Sequence, residues 1–129
     1  MNAKLAILLI GFGILGVTAP VVAHHSVAGE YDTDKPVTVK GTVTKVEWTN
    51  PHARIYIDEA GANGAVTNWN VELLAVSALV RNGWTRKTIN VGDTVTIEGI
   101  RARSGTPGAN ARTVTLSDGR KVFSGVNDR

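Results

Sequence analysis

The side chains in this sequence best suited to hold a transition metal are His24, His25 and His52. Val21-Val22-Ala23 offers the small residues that a signal peptidase needs, and a cut after Ala23 would make His24 the first residue of the chain. An N-terminal histidine chelates through its α-amine and its own imidazole. A third nitrogen from His52 or His25 would complete a set suited to Cu(II), which prefers tetragonal nitrogen and oxygen ligation. Zn(II) is the second choice, since imidazole and carboxylate suit it too. Sulfur plays no part, because the sequence has no Cys and its one Met is Met1, which leaves with the leader. That absence argues against Cu(I) trafficking.

A second set of polar residues could hold a ligand without any metal. Residues 53–58 alternate with Ala53, Ile55 and Ile57 as the apolar parity, and residues 66–72 alternate with Trp69 and Val71 inward. Paired around a loop centred on Ala62, the two runs set His52 opposite Glu72, Arg54 opposite Asn70, and Tyr56 opposite Asn68. One polar face results, because a slip of one residue would pair these side chains with the apolar set. Glu72 would then orient His52 or give it an oxygen co-ligand. Each residue also has a purely structural alternative. His24 and His25 could be a solvated start, His52 a turn residue bonded to backbone, and the polar set the wet side of a hairpin. Trp48, Trp69 and Trp84 suit core or rim packing, and Arg101, Arg103, Arg112 and Arg120 suit a solvated basic edge.

These side chains must be placed by the elements around them. Lys4 and the apolar run over residues 5–19 read as a secretory leader, too short for a spanning helix and followed by Pro20, so residues 1–23 are expected to be removed and no permanent membrane anchor is expected. Residues 24–35 read as an N-terminal arm without a period. From Pro36 an alternating strand begins, with a change of phase near Thr44-Lys45 that suggests a β-bulge and with Gly41 at a close approach. Thr49-Asn50-Pro51 is a turn signal, and Asn63-Gly64 is the strongest signal in the hairpin loop. Residues 73–82 switch to a helical stripe of Leu73, Val76, Leu79 and Val80, with Gly83 placed to end it. Strands follow over 94–103 and 112–117, separated by a loop over 104–111, and Asp118-Gly119 turns into a short strand at 121–123.

Three strands, one short helix, two strands and a terminal strand make an all-β domain over residues 24–129. The order is that of an OB-like five-stranded barrel, with a small β-sandwich as the alternative. A length of 129 residues and a hydrophobic fraction of 43% suit one folded domain and exclude a disordered chain. The net charge of +3, which falls further when Lys4 is removed, excludes a nucleic-acid binder. No nucleophile elbow, phosphate-cradling Gly loop or paired-carboxylate motif is present, so an enzyme is the less favoured class.

His24-His25-Ser26, Tyr31-Asp32, Gly41-Thr42-Val43, Trp48-Thr49-Asn50-Pro51-His52, Trp69, Gly83-Trp84-Thr85 and Gly92-Asp93 together resemble the pattern of a family of small exported bacterial proteins of unknown function. The resemblance spans essentially the whole mature chain, with Trp48 to His52 as its most specific stretch. It implies export to the periplasm or beyond and a single small domain, and it implies no activity. Separately, a mature N-terminal histidine is similar to the metal end of periplasmic copper-resistance proteins and of copper polysaccharide monooxygenases. Only His24 and His52 match that arrangement, and no flat aromatic surface accompanies them, so the monooxygenase activity is not carried over. The leading expectation is an exported Cu(II)-binding protein. The alternative is a metal-free OB-like module whose Arg54, Tyr56, Asn68, Asn70 and Glu72 bind a small ligand, an oligosaccharide or a periplasmic protein partner.

Overall fold

Alternating β-branched residues build most of this molecule. The computed structural model describes residues 27–123 and 125, and His24, His25 and the expected leader lie outside them. The elements run α1 (Val27–Glu30), β1 (Tyr31–Glu47), β2 (Arg54–Ala60), β3 (Val66–Glu72), α2 (Val76–Arg81), β4 (Thr94–Ala102), β5 (Gly108–Thr115) and β6 (Lys121–Phe123). All six strands belong to one sheet in the order β3-β2-β1-β4-β5-β6, and β3 also pairs with β5. The ladders therefore run β1-β2-β3-β5-β4 and back to β1, the ring that the OB-like order requires, and among the described residues no second sheet makes a sandwich. The closing ladder is parallel and short, pairing Asn70, Val71 and Glu72 with Gly108, Ala109 and Asn110.

The inner parity of each strand meets inside this ring. Val39, Val43, Ile55, Ile57, Val71, Val95, Ile97 and Val114 are fully buried there, and Leu79 of α2 joins them. Each such side chain contributes roughly 1.5–3 kcal/mol by leaving water, so the ring closes over a continuous apolar interior without any disulfide. Trp69 and Trp84 pack into this core, and Trp48 lies half-buried against it. The phase change in β1 is a bulge, since Val43 faces Ile57 while Lys45 faces Tyr56, which leaves Thr44 as the extra residue. At Gly41 the strands approach so closely that a Cβ would strike the Asp58 carbonyl oxygen and the Ile57 side chain.

Four expectations need correction. The arm is ordered from Val27 as a short helix, and β1 starts at Tyr31 because Tyr31 and Asp32 pair with Ala102 and Arg101 of β4. The helix is shorter than the apolar stripe suggested, because Leu73 still belongs to the hairpin: its N–H donates to the Ala53 carbonyl, and the Ala53 N–H donates to Leu74. Strand β5 begins at Gly108 rather than after the loop over 104–111, since closure of the ring pairs Gly108 with Asn70 and draws Ala109 and Asn110 into two ladders at once. Finally, the β2–β3 register is displaced by two residues from a loop centred on Ala62. Arg54 pairs with Glu72, Tyr56 with Asn70, and Asp58 with Asn68. The turn sits on Asn63-Gly64, with Gly64 at φ 74° and the Gly61 N–H donating to the Ala65 carbonyl. A two-residue displacement preserves parity, so the polar face survives with different neighbours.

Candidate functional site

Glu72 is the one charged side chain buried among the described residues, at 4% exposure. It ends β3 where that strand meets both β2 and β5, so partners reach it from three strands and from the loop before β2. One oxygen, Oε2, accepts from the Tyr31 hydroxyl at 2.9 Å and from Arg54 Nη2 at 2.7 Å. The other, Oε1, lies 3.4 Å from His52 Nδ1 and accepts from Asn110 Nδ2 at 3.4 Å. Arg54 extends the network by donating from Nη1 to Asn70 Oδ1 at 3.1 Å. No buried side-chain polar atom is left without a partner among the described residues, which is what a carboxylate in this position requires.

The electrostatics follow from that packing. Burial pushes the Tyr31 phenol up from 10.0 to about 12, with the Glu72 charge and the hydrogen bond to it acting in the same direction. Burial, the largest single influence, would lower Arg54, but the Glu72 carboxylate together with the Tyr31 and Tyr56 phenols outweighs it and holds the guanidinium more firmly charged. Arg54 is thus a fixed cation and Tyr31 a neutral donor across the physiological range.

Of the side chains singled out from the sequence, His52, Arg54, Asn70 and Glu72 come together in this cluster. Tyr56 and Asn68 lie on the same hairpin but bond elsewhere. The Tyr56 hydroxyl reaches Glu47 Oε2 at 3.5 Å while Lys45 Nζ stands 5.1 Å from its ring centre, and Asn68 Nδ2 donates to Asp58 Oδ1 at 2.7 Å. His24 and His25 lie outside the described residues. Among the described residues no three His, Asp or Glu side chains gather into a metal-binding group.

Tyr31 and Asn110 were not among the expected site residues. Local pattern placed them in an arm and a loop, and only the β1–β4 and β3–β5 ladders bring them to Glu72. Arg103, exposed as expected of a solvated edge, also anchors α1: its N–H donates to the Glu30 carbonyl at 2.9 Å and its Nε to the Ala28 carbonyl at 2.9 Å. Asn50 of the Trp-Thr-Asn-Pro-His stretch also has a definite structural task, since its Oδ1 accepts from the Val76 N–H at the start of α2.

An open groove of about 380 Å³ runs over the cluster, lined by Glu30, Tyr31, Arg54 and Asn70 and by residues of the β4–β5 turn, including Arg103 and Thr106. A second cavity of about 320 Å³ brings Val27 and Ala28 beside Asn110 and Arg112. Val27, at the start of α1, thus shares a cavity with Asn110, one of the partners of Glu72.

No curated protein matches the chain. Residues 13–111 match the family model described as a family of unknown function, DUF6152, a span that takes in both the expected histidine-bearing start and every side chain that contacts Glu72. With that much of its length accounted for, the chain belongs to the DUF6152 family.

Proposed function

We propose that this protein is exported and binds Cu(II) through the α-amine and imidazole of a processed N-terminal His24, with His52 as a further nitrogen ligand. One observation carries the reading: His52 Nδ1 lies against a buried, fully partnered carboxylate while 41% of its side chain remains exposed. A carboxylate behind one ring nitrogen orients an imidazole, the arrangement that metal-ligating histidines use. Both Glu72 oxygens already have partners, so Glu72 serves as this support and not as a ligand. A chain of shared contacts supports the pairing with His24. Val27 shares a cavity with Asn110, Asn110 touches the same Glu72 oxygen as His52, and the few residues between His24 and Val27 span at most about 10 Å when extended. Nitrogen and oxygen donors without sulfur favour Cu(II) over Cu(I), with Zn(II) as the weaker competitor.

The test is an intact-mass check of the N-terminus of exported protein, followed by Cu(II) titration beside a form carrying one extra residue before His24. Tight binding by the processed form, at least tenfold weaker in the extended form and in His52→Ala, is the expected result. Equal or negligible binding by all three would overturn the reading.

A second reading, a metal-free module for a small ligand, is supported by the groove over Arg54 and Asn70, which falls within the usual size of small-molecule sites.

A further inference from the structure

We infer that the groove between Arg54 and Arg103 is a binding site for a small oxyanion, a carboxylate or a phosphate ester. The inference rests on the second reading above and gives it a ligand chemistry. Two arginines line the groove, Arg54 from β2 and Arg103 from the β4–β5 turn, against one lining carboxylate, Glu30.

The hydrogen-bonding inventory points the same way. Glu72 lies beneath the groove with its oxygens taken by Tyr31, Arg54 and Asn110, so it orients the guanidinium without offering an acceptor to a ligand. Asn70 spends its Oδ1 on Arg54, which leaves its Nδ2 with donors to give. Arg103 is held by backbone: its Nε donates to the Ala28 carbonyl, while Nη1 stands at 3.8 Å from Asp32 Oδ2, too long for a hydrogen bond. The Arg103 Nη groups therefore keep donors to give, on a side chain whose position α1 and β1 fix. A groove with a surplus of donors selects a ligand with a surplus of acceptors, and two guanidinium forks give planar or tetrahedral oxyanions charge-assisted, directional bonds. Ser104 and Thr106, whose hydroxyls bond each other at 2.8 Å, add rotatable hydroxyls at the rim.

The two arginines are also held by different means. Arg54 is locked by a buried carboxylate and an amide, and Arg103 by carbonyls of the entering N-terminal segment. A ligand bridging them would tie the β2–β3 hairpin to α1, and so would be felt on both sides of the groove.

The experiment is a heteronuclear NMR titration of chelator-treated and dialysed protein, at constant ionic strength set with chloride. Inorganic phosphate, acetate and glucose serve as three separate probes. Saturable shifts of the backbone amides of Arg54, Asn70, Arg103 and Thr106 with phosphate or acetate, and none with glucose, are the expected result. Phosphate alone would assign phosphate esters, and acetate as well would admit carboxylates. In Arg103→Gln, an exposed change that leaves the Glu72 cluster intact, affinity for the responding anion should fall at least tenfold. Saturable shifts with glucose alone would overturn the oxyanion while leaving a ligand-binding groove standing. Silence from all three probes, or an unchanged affinity in Arg103→Gln, would overturn the proposal itself.

Discussion

Replacing Glu72 by Gln keeps the shape of the side chain, removes its charge and turns one of its two acceptor oxygens into a donor, which makes it the sharpest probe of the cluster. Gln Oε1 can still accept from the Tyr31 hydroxyl, so that hydrogen bond survives in neutral form. Arg54 loses its counter-ion. Removing one partner from a fully buried ion pair costs about 3–5 kcal/mol. Here the Glu72 side chain is 5% exposed but the Arg54 side chain is 31% exposed and can recover some hydration, which brings the expected loss to about 2–3 kcal/mol. The His52 contact adds little to that figure, since at 3.4 Å and 41% side-chain exposure it is screened by water. Denaturant unfolding of the two proteins at neutral pH measures the difference directly.

The same variant carries a second readout. Burial is the largest cause of the raised Tyr31 phenol and persists in Glu72→Gln, whereas the Coulomb repulsion from Glu72 disappears. Its ionisation, followed by tyrosinate absorbance, should therefore fall from about 12 toward, but not as far as, 10.0. The sequence has only two tyrosines, so Tyr31→Phe isolates the signal of Tyr56 and allows the two to be separated. A stability loss under about 0.5 kcal/mol, within the range of an ordinary surface substitution, together with an unmoved Tyr31 titration would refute the claim that Glu72 is a buried charge organising its neighbours.

In the wild-type protein the Tyr31 shift fixes an alkaline limit. A folded-state value raised above the unfolded one gives stability that is complete below pH 10 and lost as pH climbs from 10.0 through about 12; the two-unit gap amounts to roughly 3 kcal/mol, and denaturation across that window should be shallower in Tyr31→Phe. Gly41→Ala should cost about 3 kcal/mol by driving a methyl into the Asp58 carbonyl, whereas Gly64→Ala, with φ 74° and nothing near its Cβ, should cost only about 1 kcal/mol of backbone strain in the same unfolding assay. Asn50→Ala removes the acceptor for the Val76 N–H and should lower stability by about 1 kcal/mol, with hydrogen exchange in α2 accelerated before exchange in β1. Replacing the triad by Tyr31→Phe, Arg54→Met and Glu72→Leu together should leave thermal stability equal or higher, and a fall of several kcal/mol would show that the polar cluster itself holds the ring closed.

Much of the strand pattern was legible because side-chain parity is a local property. Val37, Val39 and Val43 announce β1, and the phase change at Thr44 announces its bulge before any partner strand is known. Parity does not report register. The hairpin turn was carried by Asn63-Gly64, and centring the loop on Ala62 displaced every cross-strand pair by two residues while leaving each on its proper face. Glu72 and Arg54 were recognisable as site candidates from that face, yet their direct pairing follows only from the turn. Tyr31, Asn110 and Arg103 were not recognisable, because their places depend on ladders between residues far apart in sequence. Gly108, Ala109 and Asn110 show why: Pro107 and its glycine neighbours give a local loop signal, and closure of the ring against β3 overrides it.

A buried carboxylate is a weak source of stability, so its place at the end of β3 asks for another reason. Desolvating Glu72 and half-burying Arg54 costs several kcal/mol per ion, and their attraction does little more than offset it. An apolar pair of similar volume would seal the same corner of the ring. What an apolar pair could not do is hold two exposed groups in fixed poses on either side. Oε2 faces Arg54, whose guanidinium lines the groove, and Oε1 faces His52, whose imidazole stands at the surface. Tyr31 and Asn110 complete the carboxylate's shell without reaching past it, and so prevent it from turning toward either neighbour alone. The cluster is thus better understood as a mount than as a brace: its energy is spent on where His52 and Arg54 point, and the triple apolar replacement separates that role from folding.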